Sequence, residues 1–219
     1  MISLPNITLV AMTGKNIPEH IKALKESSKG ITWGKILLLS PEPDSVSWGN
    51  RTDETEFGHL VINNKQIAPI ESIDDWNRKI IQDLWKYVDT SHALLIHQDG
   101  GVLHPESWQD KWMEYDYCGS PWPLPTDDYS YRTPSGRLIR VGNSVSLRSK
   151  RLMELTATRK MEYHYGNNNE DGEICVWQRE WLESQGCKFM PFEEAIYFGK
   201  EVELPEHKGI KPFVYHTVG

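Results

Sequence analysis

The sequence predicts an α/β fold: a mostly parallel, Rossmann-like central sheet with helices on its faces. Two observations carry this. Three runs, "NITLVAMT" (6–13), "GKILLLSPEP" (34–43) and "HALLIHQDG" (92–100), are apolar almost without interruption, as strands buried on both faces are. Between them apolar residues return at helical spacing, and strand–helix alternation implies a parallel sheet.

The first strand run leads into "PEHIKALKESSKG" (18–30), a helix stopped at Gly30. The second strand ends in prolines. "SIDDWNRKIIQDLWKYVDT" (72–90) is the clearest helix, with Ser72 as N-cap and Asp74 and Asp75 in the first turn. Its apolar stripe is Ile73, Trp76, Ile80, Leu84, Tyr87 and Val88. After the third strand the pattern loosens. Residues 115–138, "YDYCGSPWPLPTDDYSYRTPSGRL", read as one long loop, a length usual for lids and binding loops. "LIRVGNSVSLRSKRLMEL" (138–155) resumes as a strand and then a helix from near Ser149. Residues 167–186 form an acid-capped helix closed by Gly186, and "CKFMP" (187–191) a short strand. With no repeat, low-complexity tract or linker, residues 1–219 read as a single domain.

Composition removes several function classes. A formal net charge of −7 argues against general nucleic-acid binding, which asks for a basic stripe. It leaves room for a small anion held by a metal, since the metal brings the positive charge. The three cysteines are widely spaced and contain no C-x-x-C pair, so a disulfide framework is not expected and a reducing cytoplasm is. The opening residues lack a basic segment and a long apolar run, and no stretch approaches the ~20 apolar residues of a membrane span. Nine tryptophans and nine tyrosines suit packing, and also a site that stacks sugars or bases.

Four features bear chemistry. Asp99 follows the third strand at its carboxyl end, where parallel sheets bind ligands, and Gly100 and Gly101 allow close backbone approach. The plain alternative is an Asp-Gly turn whose carboxylate bonds its own backbone. Glu170 and Asp171 open a helix, where acids also serve the helix dipole. Gly142 and Asn143 suggest a turn against a substrate, and His216 lies in "FVYHTVG".

In this order the four features resemble the GT-A sugar-nucleotide transferase fold. The segments "VAMTG", "GKILLLS", "DTSHALLIHQDGGVLHPESW", "EYDYCGSPWP", "VGNSVSLRSKRLMEL", "NEDGEICVWQREWLESQG" and "PFVYH" resemble more closely an uncharacterised family of glycosyltransferase-like domains of microbes and viruses. The resemblance covers most of the chain. It implies that Asp99 is the metal-binding acid of a D-x-D motif, with His97 in "HQD" standing where the first aspartate is expected and facing a ribose hydroxyl or the metal. His216 would complete the metal site for Mn²⁺, or Mg²⁺. Asp171 would be the base that takes the acceptor proton, and Glu170 would orient the acceptor or hold the loop.

The implied function is metal-dependent transfer of a sugar from a nucleotide-diphosphate sugar, a UDP-sugar first, with inversion at C1. The donor nucleotide is placed near Met12, Thr13 and the turn from Ser40, with Gly100 approaching the ligand closely, Trp122 lining the sugar site and the turn at Gly142 and Asn143 on the acceptor side. Arg140 and Arg148 suit phosphate or surface ion pairs equally. The acceptor, a glycan, small molecule, protein or modified nucleobase, is not set by the sequence. Two alternatives stand beside this reading: a metal-dependent phosphohydrolase or nucleotidyl transferase, and a non-catalytic nucleotide- or carbohydrate-binding module.

Overall fold

A computed structural model describes residues 1–43, 60–161 and 169–217. The first half follows the expected alternation with one unexpected strand, β3, added: β1 (Ile2–Met12), α1 (Ile17–Glu26), β2 (Ile31–Ser40), β3 (Asn63–Gln66), α2 (Ile73–Asp83) and β4 (His92–Leu95). Then come β5 (Gly100–Val102), β6 (Tyr117–Pro121), β7 (Val141–Ser149), α3 (Lys150–Ala157) and the one-turn α4 (Glu170–Gly172). The chain continues through α5 (Arg179–Ser184), α6 (Phe192–Phe198), β8 (Gly199–Lys200) and β9 (Val214–His216).

The described residues form a six-stranded sheet of order β3-β2-β1-β4-β7-β6. β3, β2, β1 and β4 run parallel, whereas β7 is antiparallel to both its neighbours. The apolar runs are continuous because both faces are covered. Ile7, Leu9 and Ala11 of β1 join Ile36 and Leu38 of β2 in one core cluster, and Val10 and Met12 join Leu37 and Leu39 in another. The period of two therefore divides each strand between two cores.

Ser72 caps α2, its hydroxyl accepting from the Asp75 amide at 3.1 Å. Trp76 and Ile80 enter the core, but Ile73, counted in the predicted stripe, is 69% exposed. The last turn, Leu84–Tyr87, tightens to a 3-10 helix. α1 ends at Glu26, four residues before Gly30.

Three expectations need correction. The predicted loop over 115–138 contains β6, whose Tyr117–Pro121 are all buried and pair with β7. "CKFMP" is not a strand: Phe189 makes an isolated parallel bridge with Tyr117, and Pro191 then starts α6. The predicted helix over 167–186 is interrupted, with a π-turn at Glu173–Trp177 between α4 and α5; its first two residues lie outside the described residues. A second sheet, β5-β9-β8, was not expected. Among the described residues no helix is long and apolar enough to cross a membrane.

Candidate active site

From β1 the chain winds outward to β2 and β3 on one side, while β4 lies on the other. The strand order thus reverses between β1 and β4, and ligands of open α/β sheets bind outside the carboxyl ends at such a point. A cleft of about 570 Å³ opens there. Met12 and Thr13, at the end of β1, reach it, as do His97, Asp99, Asp171 and His216.

Residues 97–100 make a tight turn, with the amides of His97 and Gly100 bonding to each other's carbonyls at 3.1 and 3.3 Å. The Asp99 carbonyl accepts from the Thr217 amide at 3.0 Å and its hydroxyl at 2.8 Å, which ties the turn to the end of β9. The Asp99 side chain is left to face the cleft, where Oδ1 lies 3.6 Å from His216 Nε2. The backbone therefore turns as the plain alternative has it, while the carboxylate points at the histidine.

His216 is held on all sides. Its ring stacks on His97, centroids 5.2 Å apart and planes at 28°, and His97 in turn lies 5.0 Å from Trp76. Nδ1 lies 3.4 Å from Glu201 Oε1. Burial works against the His216 charge, but Glu201 and Asp99 outweigh it and the ring's pKa is raised. His97 goes the other way. Burial, with the nearby His216, His20 and Arg148 charges, lowers its pKa to about 3, and its buried Nε2 has no hydrogen-bond partner. It is a neutral imidazole beside the cleft.

Glu170 and Asp171 separate sharply. Glu170 is fully buried and its Oε2 accepts from Arg148 Nη2 at 2.6 Å, with Ser144 Oγ on the other oxygen. Asn77 Oδ1 accepts from the Glu170 amide at 3.2 Å. That carboxylate is committed to holding α4 against β7. Asp171 lines the cleft instead, and its carboxyl is pushed up to about 7, by burial first and then by the Glu170 charge. The π-turn that follows widens the helix beside it, a distortion frequent at functional sites.

Five predicted contacts do not reach the cleft. Ser40 is buried, donating to Asn64 Oδ1 at 2.6 Å. Gly142 takes the indole of Trp122, which would lie 1.9 Å from any Cβ there, and Trp122 stacks on Tyr131 at 4.8 Å. Asn143, at φ 96°, folds its side chain back onto the Val145 amide at 2.9 Å. It marks a β7 bulge, since Cys118 pairs with Leu147 but Ser120 with Gly142, and the residue that reaches the cleft is the next one, Ser144. Gly100 approaches β9 rather than a ligand: a Cβ would lie 2.8 Å from the Tyr215 carbonyl and 3.0 Å from His216 Cδ2. Sequence reasoning missed His20, Lys15, Asn16, Trp76 and Asn77 on the cleft wall, and Glu201 behind it. The "TGKN" turn between β1 and α1 was the available signal, being a polar turn at a strand's carboxyl end.

The donor set suits a divalent ion. A carboxylate oxygen and an imidazole nitrogen 3.6 Å apart are close to the spacing of two ligands that each lie roughly 2.0–2.2 Å from one ion. Among the described residues no three His, Cys, Asp or Glu side chains are grouped to hold an ion unaided, so a ligand's own oxygens would share the coordination.

Fold and cleft together define an α/β protein with a polar cleft at the switch point of its sheet. The chain belongs to the family described as "Protein of unknown function (DUF5672)", whose model matches residues 60–216. Asp99, Asp171 and His216 fall inside that match, whereas β1, α1 and β2 precede it. No curated protein matches the chain. Among solved structures, the apo form of the glycosyltransferase GlyE from Streptococcus pneumoniae TIGR4 aligns at 15% identity and a TM-score of 0.44, over 98% of this chain and 54% of that one. The chain therefore spans about half the length of that structure. A likeness of that degree carries no weight for function.

Proposed function

We propose that the chain is a GT-A-type glycosyltransferase that moves a sugar from a nucleotide-diphosphate sugar, a UDP-sugar in the first instance, to an acceptor hydroxyl. The observation that carries this reading is the cleft at the β1/β4 switch point. Asp99 and His216, 117 positions apart in the chain, meet there at 3.6 Å, and a carboxyl held at about 7 faces the same space. The motif resemblance along most of the chain supports it.

Asp99 and His216 would hold Mn²⁺ or Mg²⁺, which when bound supplies Lewis-acid stabilisation of the leaving diphosphate. His97, neutral and with Nε2 unpartnered, is suited to a ribose hydroxyl. Asp171 takes the proton of the acceptor hydroxyl as its oxygen bonds to C1 and the bond from C1 to the phosphate oxygen breaks. A base poised near 7 is well matched to that task. Attack from the Asp171 side, opposite the departing diphosphate, inverts C1.

A thermal-shift screen tests this reading. Nucleoside diphosphates and their sugars are offered to the wild type with and without Mn²⁺. Stabilisation by uridine nucleotides, dependent on Mn²⁺ and lost in Asp99→Asn, is the expected result; about 2.7 kcal/mol corresponds to ligand at 100 times its Kd. Equal, metal-independent shifts with every nucleotide would sink it.

A further inference from the structure

We infer that Glu201 is a positioning residue: it fixes the tautomer of His216, holding the proton on Nδ1 and turning the Nε2 lone pair toward Asp99 and the cleft. Neither residue type nor spacing marks Glu201 in the sequence. The second sheet assembles the arrangement. β5 runs antiparallel to β9, with Gly100 opposite His216, and β8 runs parallel along the other side of β9, with Lys200 opposite Tyr215. Asp99 precedes β5 by one residue and Glu201 follows β8 by one, so both flank His216 at one end of the same three strands.

The imidazole lies between them, Nε2 3.6 Å from Asp99 and Nδ1 3.4 Å from Glu201. The latter contact is an ion-pair distance rather than a formed hydrogen bond, and Nδ1 is buried with no hydrogen-bond partner among the described residues. Glu201 is thus the acceptor within reach of a proton on Nδ1. His97 covers one face of the ring and the Gly100 backbone one edge, so the ring cannot swing far to exchange its two nitrogens. Two carboxylates cannot both accept from a neutral ring, which carries one proton. Glu201, 22% exposed against 43% for Asp99, is the more desolvated acceptor. A hydrogen bond from the far nitrogen of a histidine to a carboxylate sets its orientation and raises its basicity as a ligand.

The purpose of this device rests on the metal reading above; its existence does not. The imidazole ¹⁵N shifts of His216 in the metal-free protein, at a pH where the ring is neutral, should report protonated Nδ1 and bare Nε2. Glu201→Ala should move the ring to a mixed or Nε2-protonated form, and Glu201→Gln, whose amide oxygen still accepts, should restore it. Calorimetric titration with Mn²⁺ and UDP should then show binding weakened roughly 10–100-fold by Glu201→Ala and largely recovered by Glu201→Gln. A wild-type ring already protonated on Nε2, or a tautomer unmoved by Glu201→Ala, overturns the inference whether or not metal binds. Absence of Mn²⁺ binding in the wild type, with the expected tautomer, would refute the metal reading and leave the positioning role standing.

Discussion

Burial and the neighbouring Glu170 charge hold the Asp171 carboxyl at about 7, so it is half ionised near neutrality. With Asp171 as base, kcat/KM for transfer should rise with pH and level off above about 7. Asp171→Asn should lower the rate by roughly 10²–10⁴-fold while donor binding persists. The same shift has a cost in stability. Between its ordinary value of 3.8 and about 7, the unfolded chain releases this proton and the folded one keeps it, so stability falls as pH rises through that window. Asp171→Asn should therefore melt higher than the wild type at pH 8, with the gap closing as pH falls toward 4. A melting series of both proteins reads this directly. Glu170 is held by an ion pair instead. Arg148→Met would strand its fully buried charge and should cost about 3–5 kcal/mol in urea unfolding; adding Glu170→Gln should recover much of that loss.

Among the elements, β1, β2, β4 and α2 were legible because each is long enough to show its period or an unbroken apolar run. β6 was hidden by its composition: Gly, Ser and Pro in "YCGSP" read as loop, yet every residue is buried by its neighbours. β5, β8 and β9 have three, two and three residues, too few for any pattern. Glu201 was invisible for that reason, being defined by a sheet that leaves no periodic trace. Asp99 and His216 could be picked out, but the meaning assigned to Gly100 could not, since its partner lies 116 positions away. The sheet gives that glycine a testable role. In Gly100→Ala the methyl would press on the Tyr215 carbonyl, on Val145 and on the His216 ring. Overpacking of this kind typically costs 1–3 kcal/mol. Melts of the variant should show that loss, and its Mn²⁺-dependent stabilisation by UDP should fall more than its metal-free response to the nucleotide.

For the molecule as a whole, the alternation of strands and helices foretold a parallel sheet, and with it the carboxyl ends of the strands as the place to look for a cleft. What alternation could not give is the closing of the cleft from its far side. That wall comes from the second sheet, the β7 bulge at Asn143 and the interrupted helix after Asp171, and each is an irregularity that tertiary contacts impose on a locally ambiguous segment. The pairing of β5 with β9 also sets a timetable. During synthesis, at about 5–20 residues per second, the early strands and α2 can associate while the remainder is still being made. Asp99 has emerged by then, but its partner strand has not, and the loop that joins them is more than a hundred residues long. The nascent protein can hold a folded sheet and still lack the proposed site, until the segment bearing His216 leaves the ribosome and completes the row.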